Sequence, residues 1–440
     1  MTQQLNPSPA TIDELESPRL GQRMHDLAAE LFPICRSITG HGVRETLDII
    51  RRDLPGLVTY EVASGEQAFD WTVPDEWNAR EAYVTCPEGR RILDFADTNL
   101  HLLGYSVPVD KSVSLEELQQ HLYSEPEQPD VIPYVTSYYE PRWGFCIAHE
   151  ERERLEEGTY RVKIDTTLEP GHLSYGELIV RGQTTDEVLI STYVCHPSMA
   201  NNELSGPVVA AYLAQWVLSA PRRLTYRFVF VPETIGSIVY ISRNLEHLRE
   251  HVIAGYNLSC VGDDRKYSYV PTRAGDTVAD RVAVHVLRHI DAAFERYSYL
   301  ERASDERQYN SPGVDLPVAV LARSKFRTYP EYHTSKDDLR LVTPEGLFGG
   351  YNAARLCLLC LERNEAIRTT VLCEPQMGKR GLYSTLSRKG DHTARRTMMD
   401  VLAYADGREL LEIANVLDVP LWELLDIVDT LKSERLLASV

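Results

Sequence analysis

The sequence predicts an α/β protein: a largely parallel sheet covered by helices, with a mostly β segment inserted into it and a short helical domain after it. From Gly176 onward, strand-like runs (EVLISTYVC, RFVFVPET, AGYNLSCVG, PVAVLA) alternate with helix-like ones (GPVVAAYLAQWVL, IVYISRNLEHLREHV, DRVAVHVLRHIDAAF). The strand-like runs are apolar almost throughout, as strands buried on both faces are. Between residues 56 and 172 the texture changes to short apolar runs broken by Pro, Gly, Asn and Asp, with many aromatics, which reads as short strands joined by turns.

Residues 18 to 54 give an amphipathic helix (LGQRMHDLAAELF), a turn (PICRSITGHG) and a second helix (VRETLDIIRRDL), a helical entry to the first domain. A helix over 344–366 follows the Thr-Pro-Glu start of VTPEGL, and a loop rich in Gly, Lys and Arg runs to residue 393. TARRTMMDVLAYA, RELLEIANVLD and PLWELLDIVDTLKSERLL then fit a winged helix. The changes of texture place an α/β domain at 1–55 and 173–380, the inserted β-rich domain at 56–172 and the winged-helix-like domain at 385–440.

At 440 residues the chain exceeds what one core organises, and 43% hydrophobic with 25% charged residues is ordinary for a globular protein. No stretch reaches the roughly 18 apolar residues of a membrane helix. The start MTQQLNPSPATIDELESPRL lacks a basic flank before an apolar run, so a cytoplasmic location is expected. Eight scattered cysteines without paired CxxC spacing read as reduced, buried thiols. The net charge of -19 argues against a nucleic-acid partner, since phosphate binding needs clustered Lys and Arg. The helix that would enter a groove carries Glu423, Asp426, Asp429 and Glu434 against Lys432 and Arg435. A protein–protein or dimerisation role, and with it a homo-oligomer, is expected instead.

Three elements carry candidate chemistry. His196 follows a buried strand in CHPSMANNELSG, where open α/β sheets place their ligand sites. Glu233 lies at the next strand end in PETIGS, where a carboxylate can shuttle a proton. His333 in EYHTSKDD precedes a Thr and two Asp that could fix an imidazole's tautomer for metal binding. Taken singly, each also reads as structural: a packed His, or a Glu that favours a helix start.

In this order, each near a strand end, the three elements resemble the strand-end His, Asp-Asn-x-Ser-Gly loop, Glu-Glu-x-Gly turn and late Tyr-His-Thr of the di-zinc aminopeptidase and glutaminyl cyclase superfamily. More closely, ELFPICRSITGHGVRETL, FDWTVPDEWN, PYVTSYYEPRWGFC, SDERQYNSPGVDLPV and YHTSKDDL resemble a bacterial family of aminopeptidase-like proteins. That family accompanies polysaccharide or secondary-metabolite gene clusters. The resemblance covers nearly the whole chain. It implies a phosphorylase/hydrolase-like aminopeptidase sandwich with an inserted β domain and a C-terminal winged helix.

Carried over by position, the resemblance makes His196 and His333 metal ligands and aligns Glu233 with the catalytic glutamate. Asn202, Thr234 and Ser259 stand where metal-binding carboxylates are expected. An amide oxygen is a poorer ligand than a carboxylate. The set His196, His333 and Asn202, with Glu203 compensating, therefore implies one divalent ion, zinc, and not two. Asp305, Glu306 and Arg307 in SDERQYNSPG fall where the superfamily places a substrate-facing loop, and Arg307's fork suits a substrate carboxylate. Trp71, Trp77, Tyr138, Tyr139 and Trp143 of the insert are candidates for a pocket mouth. The expected activity is hydrolysis of an amide bond in a small amino-acyl or amino-sugar metabolite or peptide. Acyl transfer or cyclisation at the same site, and a non-catalytic binding or regulatory role on a depleted peptidase scaffold, stay open beside it.

Overall fold

The computed structural model describes residues 11–382 and 392–440. Residues 383–391 of the Gly-, Lys- and Arg-rich loop, with the expected domain start at 385, lie outside the described residues, as do residues 1–10 of the amino-terminal stretch. One compact unit runs through residue 279 and again over 294–352; a second takes 280–293 and the chain from 353 onward.

The first unit is built on an eight-stranded sheet: β1 (Val58–Ala63), β2 (His172–Val180), β3 (Glu187–Tyr193), β4 (Thr225–Val231), β5 (Val252–Leu258), β6 (Ser268–Val270), β7 (Glu295–Arg296) and β8 (Val318–Ala322), in the order β1-β2-β4-β3-β5-β8-β6-β7. The central strands β4, β3, β5 and β8 are parallel. β1 and β2 add an antiparallel edge. Every residue of β3, β4 and β8 is buried, which is why these runs lack a polar alternation. The chain leaves the main sheet after β1 and returns at β2. In between it forms a four-stranded sheet in the order Arg91–Ile92, Glu76–Thr85, Thr159–Glu169, Val109–Ser114.

Helices α2 (His41–Asp53), α3 (Ser205–Leu218) and α4 (Ile235–His251) pack on the sheet, and α1 (Leu20–Leu31) packs on α3. All but the last residue of α3 are buried. It meets β3 and β5 so closely at Gly206 that an added Cβ would lie 2.3 Å from Thr192 Oγ1 and 2.4 Å from the Leu258 carbonyl oxygen.

Charge is also buried inside the sheet. Arg227 on β4 donates to Glu177 on β2 (2.5 Å) and to Glu187 on β3 (2.6 and 3.1 Å), so one guanidinium ties three adjacent strands. The Tyr240 hydroxyl on α4 donates to the same Glu177 (2.6 Å).

The second unit has a three-stranded antiparallel sheet with Ala366–Thr369 at its centre, flanked by Asp406–Glu409 and Leu437–Ser439. Helices His392–Tyr404, Leu410–Leu417 and Leu421–Ser433 pack with it around Val401, Leu411, Leu424, Val428 and Leu431. His285 joins this unit by accepting from Leu421 N (3.0 Å) and pairing with Asn415 (2.7 Å). Among the described residues no helix is long and apolar enough to cross a membrane.

The Arg227 clasp has a measurable consequence. Arg227→Met leaves Glu187 and Glu177 buried without their counter-charge, a change that costs about 3–5 kcal/mol. Against burial, the hydrogen bonds from Arg227 and His247 hold Glu187 below its ordinary carboxyl value of 4.5, so its stabilisation is present above that pH and is lost on acidification. Urea unfolding should therefore show a deficit for Arg227→Met at pH 7 that narrows below about pH 4.5.

Candidate active site

The carboxyl ends of the parallel strands converge on one place. His196 follows β3, Glu233 follows β4, Ser259 follows β5, and His333 lies on the loop beyond β8. Parallel strands all point their carboxyl ends to the same edge, so residues far apart in sequence meet there.

His196 is the best-anchored member. Its Nδ1 lies 2.8 Å from Glu203 Oε2 and 3.4 Å from Cys195 Sγ, and its carbonyl accepts from Arg36 Nε at 3.1 Å. Glu203 lies on a π-type turn over Ala200–Leu204 that leads into α3. The side chains of Glu203 and Arg36 are wholly inaccessible, with Nε 3.7 Å from Glu203 Oε1. Burial pushes the Glu203 carboxyl up to about 8 while the Arg36 charge pulls it back. Burial also pulls the His196 imidazole down to about 3, with Arg36 acting in the same direction, so the ring is neutral at pH 7.

The π-type turn is held from the far side by Asp337. Its carboxylate accepts from Asn201 N (2.5 Å), Asn202 N (3.0 Å) and the Tyr329 hydroxyl (3.0 Å). Asn202 Nδ2 donates to the Tyr193 hydroxyl at 2.9 Å, and that hydroxyl also meets Ser259 Oγ at 2.6 Å. Asn202 Oδ1 is buried without a hydrogen-bond partner.

Glu233 Oε2 lies 3.7 Å from His196 Nε2, with the carboxylate partly open at 24% exposure. Its N–H donates to Cys195 Sγ at 3.1 Å. Burial first, then the charge of Asp305, raise its carboxyl well above the ordinary value. The next residue, Thr234, has φ 67 and ψ -77. Asp305 Oδ1 accepts from Thr234 N and from the Ser237 hydroxyl, and Arg307 Nη2 donates to Thr234 Oγ1. Glu306 turns to its own loop, accepting from Ala303 N at 2.9 Å.

His333 sits at φ 57, stacked on Tyr332 with ring centroids 4.0 Å apart and 5.5 Å from the His196 ring. Burial, the neighbouring His196 and Arg327 lower it to about 3, and its Nε2 is buried without a partner. The insert pins this loop: Tyr134 N donates to the His333 carbonyl (2.8 Å), and Ser335 N donates to the Ile132 carbonyl (2.9 Å). The Tyr134 ring stands 5.1 Å from both imidazole rings.

A cavity of about 160 Å³ opens beside these groups, lined by Ile38, Trp71, Tyr138, Tyr139, Cys195, His196, Glu233, Thr234 and Ile235. Three of the five insert aromatics singled out in the sequence thus reach it. Trp77 instead stacks on Tyr105 and donates to the Ser106 carbonyl, and Trp143 stacks on His121. Arg36, Tyr134 and Cys195 belong to the site although no residue-level signal assigns them a role, and Asp337, one of the two Asp expected to fix the His333 tautomer, instead holds the Ala200–Leu204 turn. Arg36 had one signal, a charge inside the otherwise uncharged turn PICRSITG.

A divalent ion needs unprotonated, unpartnered donor atoms. His333 Nε2 and Asn202 Oδ1 meet that condition, and His196 Nε2 faces only Glu233 at 3.7 Å. The donor chemistry of these residues is compatible with one ion. Among the described residues, Cys195, His196 and Glu203 also place ligand atoms within 4.8 Å of one another, but those atoms already contact each other, and the Arg36 guanidinium beside them opposes a cation.

Comparison with known proteins agrees with the geometry on the class: an aminopeptidase-like α/β fold followed by a winged helix. A structure of a zinc aminopeptidase from Bacillus subtilis superposes with a TM-score of 0.56 at 14% identity, covering 77% of this chain and 95% of that one. Residues 365–439 match the winged helix-turn-helix model. The chain belongs to the family described as a domain of unknown function (DUF4910), whose model matches residues 25–364. A relative from Clostridium acetobutylicum is 42% identical over 401 residues, 90% of this chain and 92% of its own length, and is described as a candidate polysaccharide biosynthesis protein with an aminopeptidase-like domain. A crystal structure of a candidate peptidase from Clostridium acetobutylicum superposes with a TM-score of 0.91 at 39% identity, covering 98% of each chain.

The buried Arg36–Glu203 pair makes one outcome definite. Arg36→Met leaves Glu203 without its counter-charge, and at pH 9, above the value of about 8 at which that carboxyl ionises, the unfolding free energy by denaturant titration should fall by about 3–5 kcal/mol.

Proposed function

We propose that the chain is a metal-dependent, peptidase-type hydrolase acting on an amide bond of a small amino-acyl or amino-sugar metabolite. One observation carries the reading: two buried, neutral imidazoles, His196 and His333, stand with ring centroids 5.5 Å apart, and the raised carboxyl of Glu233 lies 3.7 Å from His196 Nε2. His196, His333 and Asn202 would hold a single divalent ion, for which zinc suits the imidazoles. Such an ion, when bound, polarises a carbonyl and acidifies a water.

The chain's own groups supply the rest. In its ionised form Glu203 would accept a hydrogen bond from His196 Nδ1–H at 2.8 Å, which would fix the tautomer and leave Nε2 as a lone pair. Glu233 carries a proton at its carboxylate, taking it from a nucleophile and returning it to a leaving amine. The aromatic walls exclude bulk water from one side of the bond. The replacement of carboxylates by Asn202, Thr234 and Ser259 favours a second reading, a binding or regulatory protein on the same scaffold.

Metal analysis and turnover separate the two. Purified without chelator, the protein should hold about one zinc per chain, should release it to a chelator, and should hydrolyse members of an aminoacyl 4-nitroanilide panel. Glu233→Gln should lower kcat by about 10²–10⁴-fold. Protein that neither retains nor rebinds zinc, manganese or iron supports the binding reading instead. Glu203→Leu, measured by chelator competition, should weaken zinc binding by about 10–100-fold.

A further inference from the structure

The turn Ser304–Arg307 does not line the cavity, yet three of its side chains grip the Glu233 turn. The Ser304 side chain favours the charged form of the Glu233 carboxylate against burial and is itself held by Asn257 Nδ2 at 3.1 Å. Asp305 Oδ1 accepts from Thr234 N and from Ser237 Oγ, each at 2.7 Å. Arg307 Nη2 donates to Thr234 Oγ1 at 2.5 Å. Between these contacts Thr234 is held at φ 67, a conformation that a β-branched residue adopts only when its surroundings impose it. The peptide that carries this strain is the one that aims Glu233. If it relaxed, the carboxylate would turn away from His196.

We propose that Ser304, Asp305 and Arg307 form the positioning element of Glu233, with Asp305 holding the strained Thr234 peptide and Ser304 holding the carboxylate. The proposal rests on the reading of Glu233 as the proton shuttle. It also replaces a substrate contact for this loop with an internal one: Asp305 and Arg307 act through Thr234. Asp305 serves as a cap as well, because Thr234 N and Ser237 Oγ belong to the first turn of α4, but a cap alone has no need of the contacts from Ser304 and Arg307 to the preceding residues.

The test compares crystal structures of the full-length chain carrying Asp305→Ala, Asp305→Asn and Ser304→Ala. Asp305→Asn keeps an acceptor oxygen for both donors, so Thr234 should stay at positive φ with Glu233 beside His196. In Asp305→Ala, Thr234 should relax to negative φ and Glu233 should leave His196 Nε2. In Ser304→Ala the carboxylate alone should swing. An Asp305→Ala structure with Thr234 and Glu233 unmoved overturns the proposal. If that variant does not fold, Arg307→Met is read in the same way. On a substrate from the nitroanilide panel, Asp305→Ala should lower kcat by at least about tenfold with KM within about twofold, and Asp305→Asn should recover most of the loss. Equal kcat in all three proteins also overturns it. A chain that hydrolyses nothing defeats the hydrolase reading, while the structures still decide the positioning role.

Discussion

The site depends on one buried carboxylate. Glu203 has no solvent access and stands between the Arg36 guanidinium and His196 Nδ1. A charge in such a place is tolerated only with a counter-charge and hydrogen bonds, and Arg36 supplies the first while also bonding the His196 carbonyl and that of Leu31. Three segments are thereby tied together: the turn after α1, the strand end at His196 and the π-type turn before α3. Ile38, two residues beyond Arg36, lines the cavity, so the same clasp that orients the imidazole also sets part of its wall.

Around this anchor polar groups turn inward, with Asn202 Oδ1 and His333 Nε2 left without a partner. The family resemblance expects carboxylates at Asn202, Thr234 and Ser259, and each residue found there has instead been drawn into the protein's own network. Asn202 and Ser259 share the Tyr193 hydroxyl, and Thr234 takes Arg307. Two doubly charged ions a few ångströms apart repel strongly and need carboxylates to offset them. With those negative charges replaced by neutral groups, and with Arg36 and Arg307 fixed nearby, the electrostatics are consistent with one ion at most.

The sequence made the fold legible because its strongest signal, uninterrupted apolar strands alternating with helices, is the signal that a parallel sheet imposes. His196 and Glu233 were legible for a related reason: parallel strands put their ends together, so polar residues just past them meet, whereas His333, well along the loop after β8, was legible through the family motif. The remainder was hidden because it depends on three-dimensional approach. Arg36 and Glu203 are 167 positions apart in the chain, a separation no local pattern encodes. Asp305 reads as part of a substrate-facing loop and Ser304 carries no signal of its own, yet both are buried. Their partners are a backbone N–H, a hydroxyl and another loop's carboxylate, none of which leaves a periodic trace. Tyr134 went unremarked among its neighbours in PYVTSYY because an aromatic in a β-rich segment looks like core.

Tyr134 also indicates why the insert exists at this point of the chain. The insert leaves the main sheet at β1 and rejoins it at β2, on the antiparallel edge, so it could have packed as a separate lobe. Instead its segment 132–135 runs along the loop 333–335, exchanging backbone hydrogen bonds with it, and Tyr134 places its ring equidistant from the two imidazoles. Trp71, Tyr138 and Tyr139 then line the same cavity as Glu233. The parallel sheet thus supplies the residues that would bind an ion and move a proton, and the insert fixes the conformation of one of them while shaping what can approach. The sheet and the insert are joined at His333, whose imidazole belongs to the one site and whose backbone is held by the insert.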